Sequence, residues 1–238
     1  MGNVARAAAD AAAMARIAIP ERDVDVPLSD CGVQQAAALG RWFAGLEPLQ
    51  RPQVVLSSPY LRAVKTAQIL REQNALIADA PALAIDERLR EREFGILDRL
   101  TRVGVEQFYP QQAESFRTLG KFYHRPPGGE SWCDVILRLR SLLDTLSLHY
   151  SRQQVLIVTH EVVIMCMRYL LEELDEATIL DIGTQGDIAN CAITEYQFEQ
   201  PIVHEKGRLQ LIRFNFTAPL ERGDASVTSA SDAKVWIL

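Results

Sequence analysis

The chain has 238 residues, 48% apolar and 24% charged, with 25 basic and 31 acidic side chains giving a formal net charge of −6. This balance is globular, and it excludes a disordered chain, a fibrous chain and, with no apolar run of roughly 18 residues, a membrane span. It also argues against nucleic acid as a partner, so any anion the chain holds must be met by a few locally placed cations.

Residues 4–16 are rich in alanine and suit a short helix. Residues 20–32, with Pro20, Pro27, Asp30 and Gly32, read as a loop, in which Ser29 is placed to cap the next helix. In that helix Val33, Ala36, Ala37, Gly40, Phe43 and Ala44 recur at helical spacing. Val54-Val55-Leu56 reads as a buried strand ending in Ser57-Ser58, after which Pro59 opens a helix to about Glu72. A second short strand falls at Ala82–Ile85, and 98–124 reads as helical.

Pro126-Pro127-Gly128-Gly129 signals a loop, and Glu130-Ser131 opens a long helix with Trp132, Ile136, Leu139, Leu143 and Leu146 on its core face. Val155–Thr159 is apolar and β-branched without alternation, the pattern of a parallel strand covered on both faces. A helix follows from about Val162 to Leu174. Cys191–Phe198 and Arg208–Phe216 alternate and suit antiparallel pairing at a sheet edge. The domain is expected to span 1–217, with 218–238 a disordered tail that ends in the apolar Val235–Leu238. Strands alternating with helices imply an α/β fold: a three-layer sandwich with a mostly parallel central sheet flanked by helices.

Cys31, Cys133, Cys166 and Cys191 are far apart and form no Cys-x-x-Cys pair, so neither a disulfide framework nor a metal site is suggested. No secretory leader pattern is seen, and a cytoplasmic location is the default expectation.

In open α/β sheets functional groups gather past the C-terminal ends of strands. Two strand ends carry such groups: Ser57-Ser58-Pro59-Tyr60-Leu61-Arg62 and Thr159-His160-Glu161. Each runs into a helix and offers free backbone N–H groups to an anion. Arg62 falls in a first helical turn, where a cation opposes the dipole; an anion beside it, or an ordinary surface salt bridge, would account for it. His160 by position alone reads as a hydrogen-bonded core histidine or as a catalytic group. Glu91, in Leu89-Arg90-Glu91-Arg92-Glu93-Phe94-Gly95, reads as part of a solvated charge run or as an acid in a site.

Taken in order, the segments resemble the histidine phosphatase superfamily, which includes the cofactor-dependent phosphoglycerate mutases and fructose-2,6-bisphosphatase. Asp25-Val26-Pro27-Leu28-Ser29 through Gln35-Ala36, Ser57-Ser58-Pro59-Tyr60-Leu61-Arg62 through Thr66-Ala67, Leu89-Arg90-Glu91 with Phe94-Gly95, Pro127-Gly128-Gly129-Glu130-Ser131, and Val158-Thr159-His160 each look like a motif of that family. The resemblance departs at the start. Of the family's Arg-His-Gly motif, whose histidine is the nucleophile, only the closing asparagine is matched, by Asn3. The first strand of the sheet is missing with it. Two explanations stand: a fragment or mis-started sequence, or a shortened paralogue without catalysis.

The resemblance implies a phosphomonoester phosphatase acting through a phosphohistidine, with a phosphoglycerate mutase or a non-catalytic phosphate-ester-binding or interaction protein as alternatives. It gives Arg62 and His160 the phosphoryl oxygens, Asn3 a neutral donor role, and Glu91 proton transfer to the leaving group. Arg125 is the candidate second anion contact. No cofactor or metal is implied, and the partner is a small phosphorylated metabolite. Because the nucleophile segment is absent, the 238-residue chain is expected to have little or no activity.

Overall fold

The computed structural model describes residues 2–74, 82–199 and 207–229. Three short strands form a parallel sheet in the order β2-β1-β3: β1 (Val54–Ser57), β2 (Ala82–Ile85) and β3 (Val155–Val158). Val54 pairs with Ala82 on one side and with Val155 on the other, so Ser57 and Val158 end side by side. That register brings the residues after both strands to one end of the sheet.

Helices cover the two faces. On one face lie α2 (Asp30–Ala44) and α3 (Leu61–Asn74), whose Leu39, Phe43 and Leu70 pack with Leu156 and Val158. On the other lie α6 (Trp132–His149) and α7 (Glu161–Leu171), where Val135, Leu139, Leu142, Val163 and Cys166 bury against Val54 and Leu56. Ahead of α2 stands α1 (Gly2–Ala11), shorter than the alanine-rich stretch suggested. Between β2 and α6 come α4 (Arg102–Phe108) and α5 (Pro110–Tyr123), in the region read as helical.

Local chemistry sets the boundaries. The Ser29 hydroxyl accepts from the Gly32 N–H at 3.1 Å and starts α2. Ser131 and Asp134 form a reciprocal capping box at the start of α6. Gly95, at φ +54°, has room for no side chain, because a Cβ there would stand 2.2 Å from the Pro127 carbonyl oxygen. That contact closes the Glu91 loop onto the Pro-Gly-Gly loop.

Several expectations are corrected. Helix α3 begins at Leu61 rather than Pro59, with the Tyr60 carbonyl accepting from Ala63 and Val64. In α2 it is Gln35 that is buried and Val33 that is exposed, because the Gln35 amide reaches Ser226 and Thr228. In α6 the core face takes Leu142 where Leu143 was expected. Strand β3 is only half-buried, since among the described residues it pairs with β1 alone. The helix after His160 ends at Leu171, three residues before the expected Leu174, and an unanticipated helix, α8 (Glu176–Thr184), follows, with Glu173 at φ +52° and Asp175 capping it through Thr178. The two C-terminal strands, β4 (Ile193–Glu199) and β5 (Arg208–Phe216), pair antiparallel as expected but form a sheet of their own.

The stretch from residue 218, read as a disordered tail, begins with a packed helix, α9 (Ala218–Arg222). Leu220 is fully buried, and Thr228 accepts from Asn190. Val235–Leu238 lie outside the described residues.

Candidate active site

The site is built from the two strand ends and the loop after β2. Past β3, Thr159 donates its hydroxyl to the Leu89 carbonyl at 2.9 Å, which ties that loop to the sheet. His160 then caps α7 and is buried. Its Nε2 lies 2.8 Å from the Ser58 hydroxyl, at the end of β1, and its Nδ1 lies 3.8 Å from Glu91 Oε2. Ser58 Oγ also accepts from the Tyr60 N–H, which fixes the hydroxyl beside the imidazole. Burial, then the positive charges of Arg62 and Arg138, hold the His160 pKa well below the ordinary histidine value, so the ring is neutral at pH 7.

Tyr60 joins the histidine to the arginine. Its ring meets His160 edge-on at 5.0 Å between centroids, and the Arg62 guanidinium lies over it at 4.8 Å. Arg62 and His160 therefore share one wall. The Arg62 fork is turned to Asp23, in a short 3-10 turn before α2: it donates to both carboxylate oxygens, at 3.1 and 3.2 Å, and to the carbonyl at 2.7 Å. Burial pushes the Tyr60 pKa up, and Glu93, Asp23 and Glu91 add to the effect. Glu93 and Asp98 are likewise raised, first by burial and then by neighbouring carboxylates, Asp23 among them. Arg22 acts against the rise at Glu93, and Arg99 and Arg6 against that at Asp98, so the surroundings are mixed in charge.

Glu91 is positioned from behind. Its Oε1 accepts from the Arg92 N–H at 2.9 Å. Both flanking arginines point away from its carboxylate: Arg90 bonds Glu130 at 2.6 Å, and Arg92 bonds the carbonyls of Glu130 and His124. The buried Arg138 side chain bridges Glu130 and the carbonyls of Arg88 and Glu91. The loop is a wired scaffold rather than a solvated charge run.

Residues 11–210 match the family model described as the histidine phosphatase superfamily (branch 1). The chain belongs to this superfamily. It is 35% identical over 123 residues to the fructose-2,6-bisphosphatase TIGAR B of Danio rerio, covering 52% of this chain and 44% of that protein. It is 33% identical over 163 residues to a 6-phosphofructo-2-kinase/fructose-2,6-bisphosphatase of Caenorhabditis elegans, covering 66% of this chain and 32% of the other. The chain thus spans less than half the length of these curated relatives. Among solved structures, the mycobacterial glucosyl-3-phosphoglycerate phosphatase Rv2419c superposes with a TM-score of 0.64 at 25% identity, over 83% of this chain and 91% of that one.

Of the residues singled out in this histidine phosphatase sequence, Arg62, Glu91 and His160 are brought together. Arg125 stands apart from the contacts just described: its Nε donates to the Gly129 carbonyl at 3.2 Å and pairs with Asp134 at 3.4 Å, at the start of α6. Asn3 lies in α1, and its side chain falls outside the described residues. Sequence reasoning gave no part to Ser58, Tyr60, Asp23 or Arg138. For Ser58 and Tyr60 a signal existed, since both lie in the quoted Ser-Ser-Pro-Tyr segment. For Asp23, 39 positions before Arg62, there was none. Among the described residues no helix is long and apolar enough to cross a membrane, and no group of three or more His, Cys, Asp or Glu side chains is arranged to hold a metal ion.

Proposed function

We propose that this chain carries the phosphate-gripping and proton-transferring part of a phosphomonoester phosphatase site that works through a phosphohistidine. The observation that carries the reading is the convergence of Arg62, His160 and Glu91 around Tyr60 at the ends of two neighbouring parallel strands. Relatives named as phosphatases of sugar phosphates and phosphoglycerate derivatives support it.

In this reading the Arg62 fork grips two phosphoryl oxygens, since a planar guanidinium donates parallel hydrogen bonds that match them. His160, neutral in the empty site, donates from one ring nitrogen and gains a proton's charge as the dianion raises its pKa. Those donors offset the charge that builds on the transferring group. Glu91, whose Oε1 accepts from the Arg92 N–H and whose Oε2 faces His160, protonates the leaving alkoxide and then takes a proton from the incoming water. Attack on phosphorus belongs to a histidine that none of the described residues replaces: His124 is buried against Phe116, and His149 lies at the far end of α6. The 238-residue chain by itself therefore turns over little or no substrate.

The test is p-nitrophenyl phosphate hydrolysis by two proteins. One is the 238-residue chain; the other carries an added N-terminal strand ending in Arg-His-Gly. Turnover by the second alone is expected. Equal turnover by both would overturn the assignment of the nucleophile, and failure of both to bind vanadate would overturn the phosphate site. A phosphoglycerate mutase remains the competing activity, and phosphate transfer from 2,3-bisphosphoglycerate by the extended protein would select it.

A further inference from the structure

Arginines crowd the segment that carries Glu91, and a buried carboxylate answers them. Arg90 and Arg92 flank Glu91 in the chain, and Arg138 reaches the Glu91 carbonyl from α6. Glu130 Oε1 accepts from Arg90 at 2.6 Å and from Arg138 at 3.0 Å, and its Oε2 accepts from Arg138 and from the Glu93 N–H, both at 3.2 Å. The backbone completes the tie: the Glu130 N–H donates to the Glu93 carbonyl at 2.8 Å, and the Glu130 carbonyl accepts from Arg92 at 2.7 Å. The Arg138 and Glu130 side chains are 9% and 11% exposed, so little water screens their charges. On its other side the Glu91 carboxylate faces His160, at the start of α7, with Tyr60 after β1 and Cys166 of α7 within electrostatic reach.

We infer that Glu130 is a positioning residue for the acid: it holds the Arg90 and Arg138 guanidinium groups and so withholds their charge from the Glu91 carboxylate. The inference rests on the phosphatase reading of Glu91 above and deepens it. A general acid must carry its proton before it can give it up. A guanidinium within about 4–6 Å of a carboxyl group favours the ionised form and lowers its pKa by about 1–3. Glu130 supplies the negative charge that these arginines would otherwise find in Glu91. The same ion pair also sets the place of the acid, because Glu130 holds the Glu93 N–H while Arg138 holds the Glu91 carbonyl.

The experiment follows the Glu91 carboxyl carbon by NMR through a pH titration of the 238-residue chain labelled at glutamate, the signal being assigned by its loss in Glu91→Gln. The parent is compared with Glu130→Gln, Arg90→Gln and the double variant, each checked for folding by urea unfolding. Glu130→Gln is expected to lower the Glu91 midpoint by about 1 pH unit or more, and adding Arg90→Gln should bring most of that change back. Arg90→Gln alone, at a side chain 36% exposed, should leave the midpoint near that of the parent. An unchanged midpoint in folded Glu130→Gln overturns the inference. So does a change that Arg90→Gln fails to reverse, which would make Glu130 an anchor of the loop and nothing more. If Glu130→Gln does not fold, Arg90→Gln decides alone: a parental midpoint supports the inference, and a rise of about 1 pH unit means that Arg90 acts on Glu91 despite Glu130. The titration needs no turnover. Vanadate binding by the same proteins reads the phosphate site separately, and its absence in the parent overturns that reading and the role of Glu91 as acid with it.

Discussion

Two arginine–carboxylate pairs in this molecule are each doubly bonded and differ in setting. At the strand ends, Arg62 holds Asp23 with both ends of its fork, at 3.1 and 3.2 Å. At the C-terminal end of α7, Arg168 holds Glu172 side-on, through Nε and one terminal nitrogen, at 2.8 and 3.0 Å. The second pair is finished. Tyr196 donates to the same carboxylate at 2.6 Å, Phe214 lies 4.1 Å below the guanidinium, and the Arg168 side chain is only 7% exposed. Burial alone would raise the Glu172 pKa, but the bonds from Arg168 and Tyr196 outweigh it and hold the carboxyl below its ordinary value. The Arg62 pair has no such enclosure. One doubly bonded pair is therefore closed in by side chains of β4 and β5, while the other is left open to solvent.

The widest separation between the two comes from removing the arginine. Arg168→Met leaves the half-buried Glu172 with only its Tyr196 bond and no counter-ion, and a loss of about 2–3 kcal/mol in urea unfolding is expected. A loss below about 1 kcal/mol would place that pair in the same class as Arg62–Asp23. Tyr196→Phe tests the enclosure one bond at a time. It removes a hydrogen bond to a charged group, for an expected loss of about 2 kcal/mol in the same measurement.

The two regions also differ in how far the sequence revealed them. Strands β1 and β2, the caps at Ser29 and Ser131, and the Thr159-His160 turn were legible because each is set by local composition: an apolar run, a hydroxyl before a helix, a strand that ends in polar groups. The convergence of Arg62, Glu91 and His160 became legible only through the order of the motifs, since spacing alone left each with an equally ordinary explanation. The end of α7 was legible to within three residues, but α8 was not anticipated, although Asp175, a good cap, marks its start. The packing of Leu220 and Ala225 was hidden by the polar residues around them. Pairings such as Asp23 with Arg62, or Gln35 with Thr228, depend on the assembled fold and leave no trace in local spacing.

A gentler probe is pH. His160 and His124 are both held below the ordinary histidine pKa, the first by burial and then Arg62 and Arg138, the second by burial and then Arg92. Between about pH 6.5 and each lowered native value, the unfolded chain binds a proton that the native site refuses. Stability is thus fully present above about 6.5 and falls as the pH drops through that window. Glu93 and Asp98, raised in the native state, work in the opposite sense and recover part of the loss as they protonate. His160→Asn should flatten the slope of the unfolding midpoint between about pH 6.5 and 5 relative to the parent. An unchanged slope would mean that the buried imidazole accepts its proton as readily as a free one.

The smallest expected change in stability is also the most informative about the site. Arg62→Gln removes a partly exposed ion pair and a stacking contact on Tyr60, and the cost is expected to stay within about 1 kcal/mol because Asp23 is left facing water. Vanadate or phosphate affinity should nevertheless fall by at least about tenfold, since the fork is the principal cation that the reading offers to the oxyanion. The opposite result, a large loss of stability with affinity intact, would make Arg62 a structural tie like Arg168 and move anion binding elsewhere. What distinguishes the two arginines is therefore how fully the protein has closed around the pair, and the ratio of the stability effect to the binding effect measures that closure.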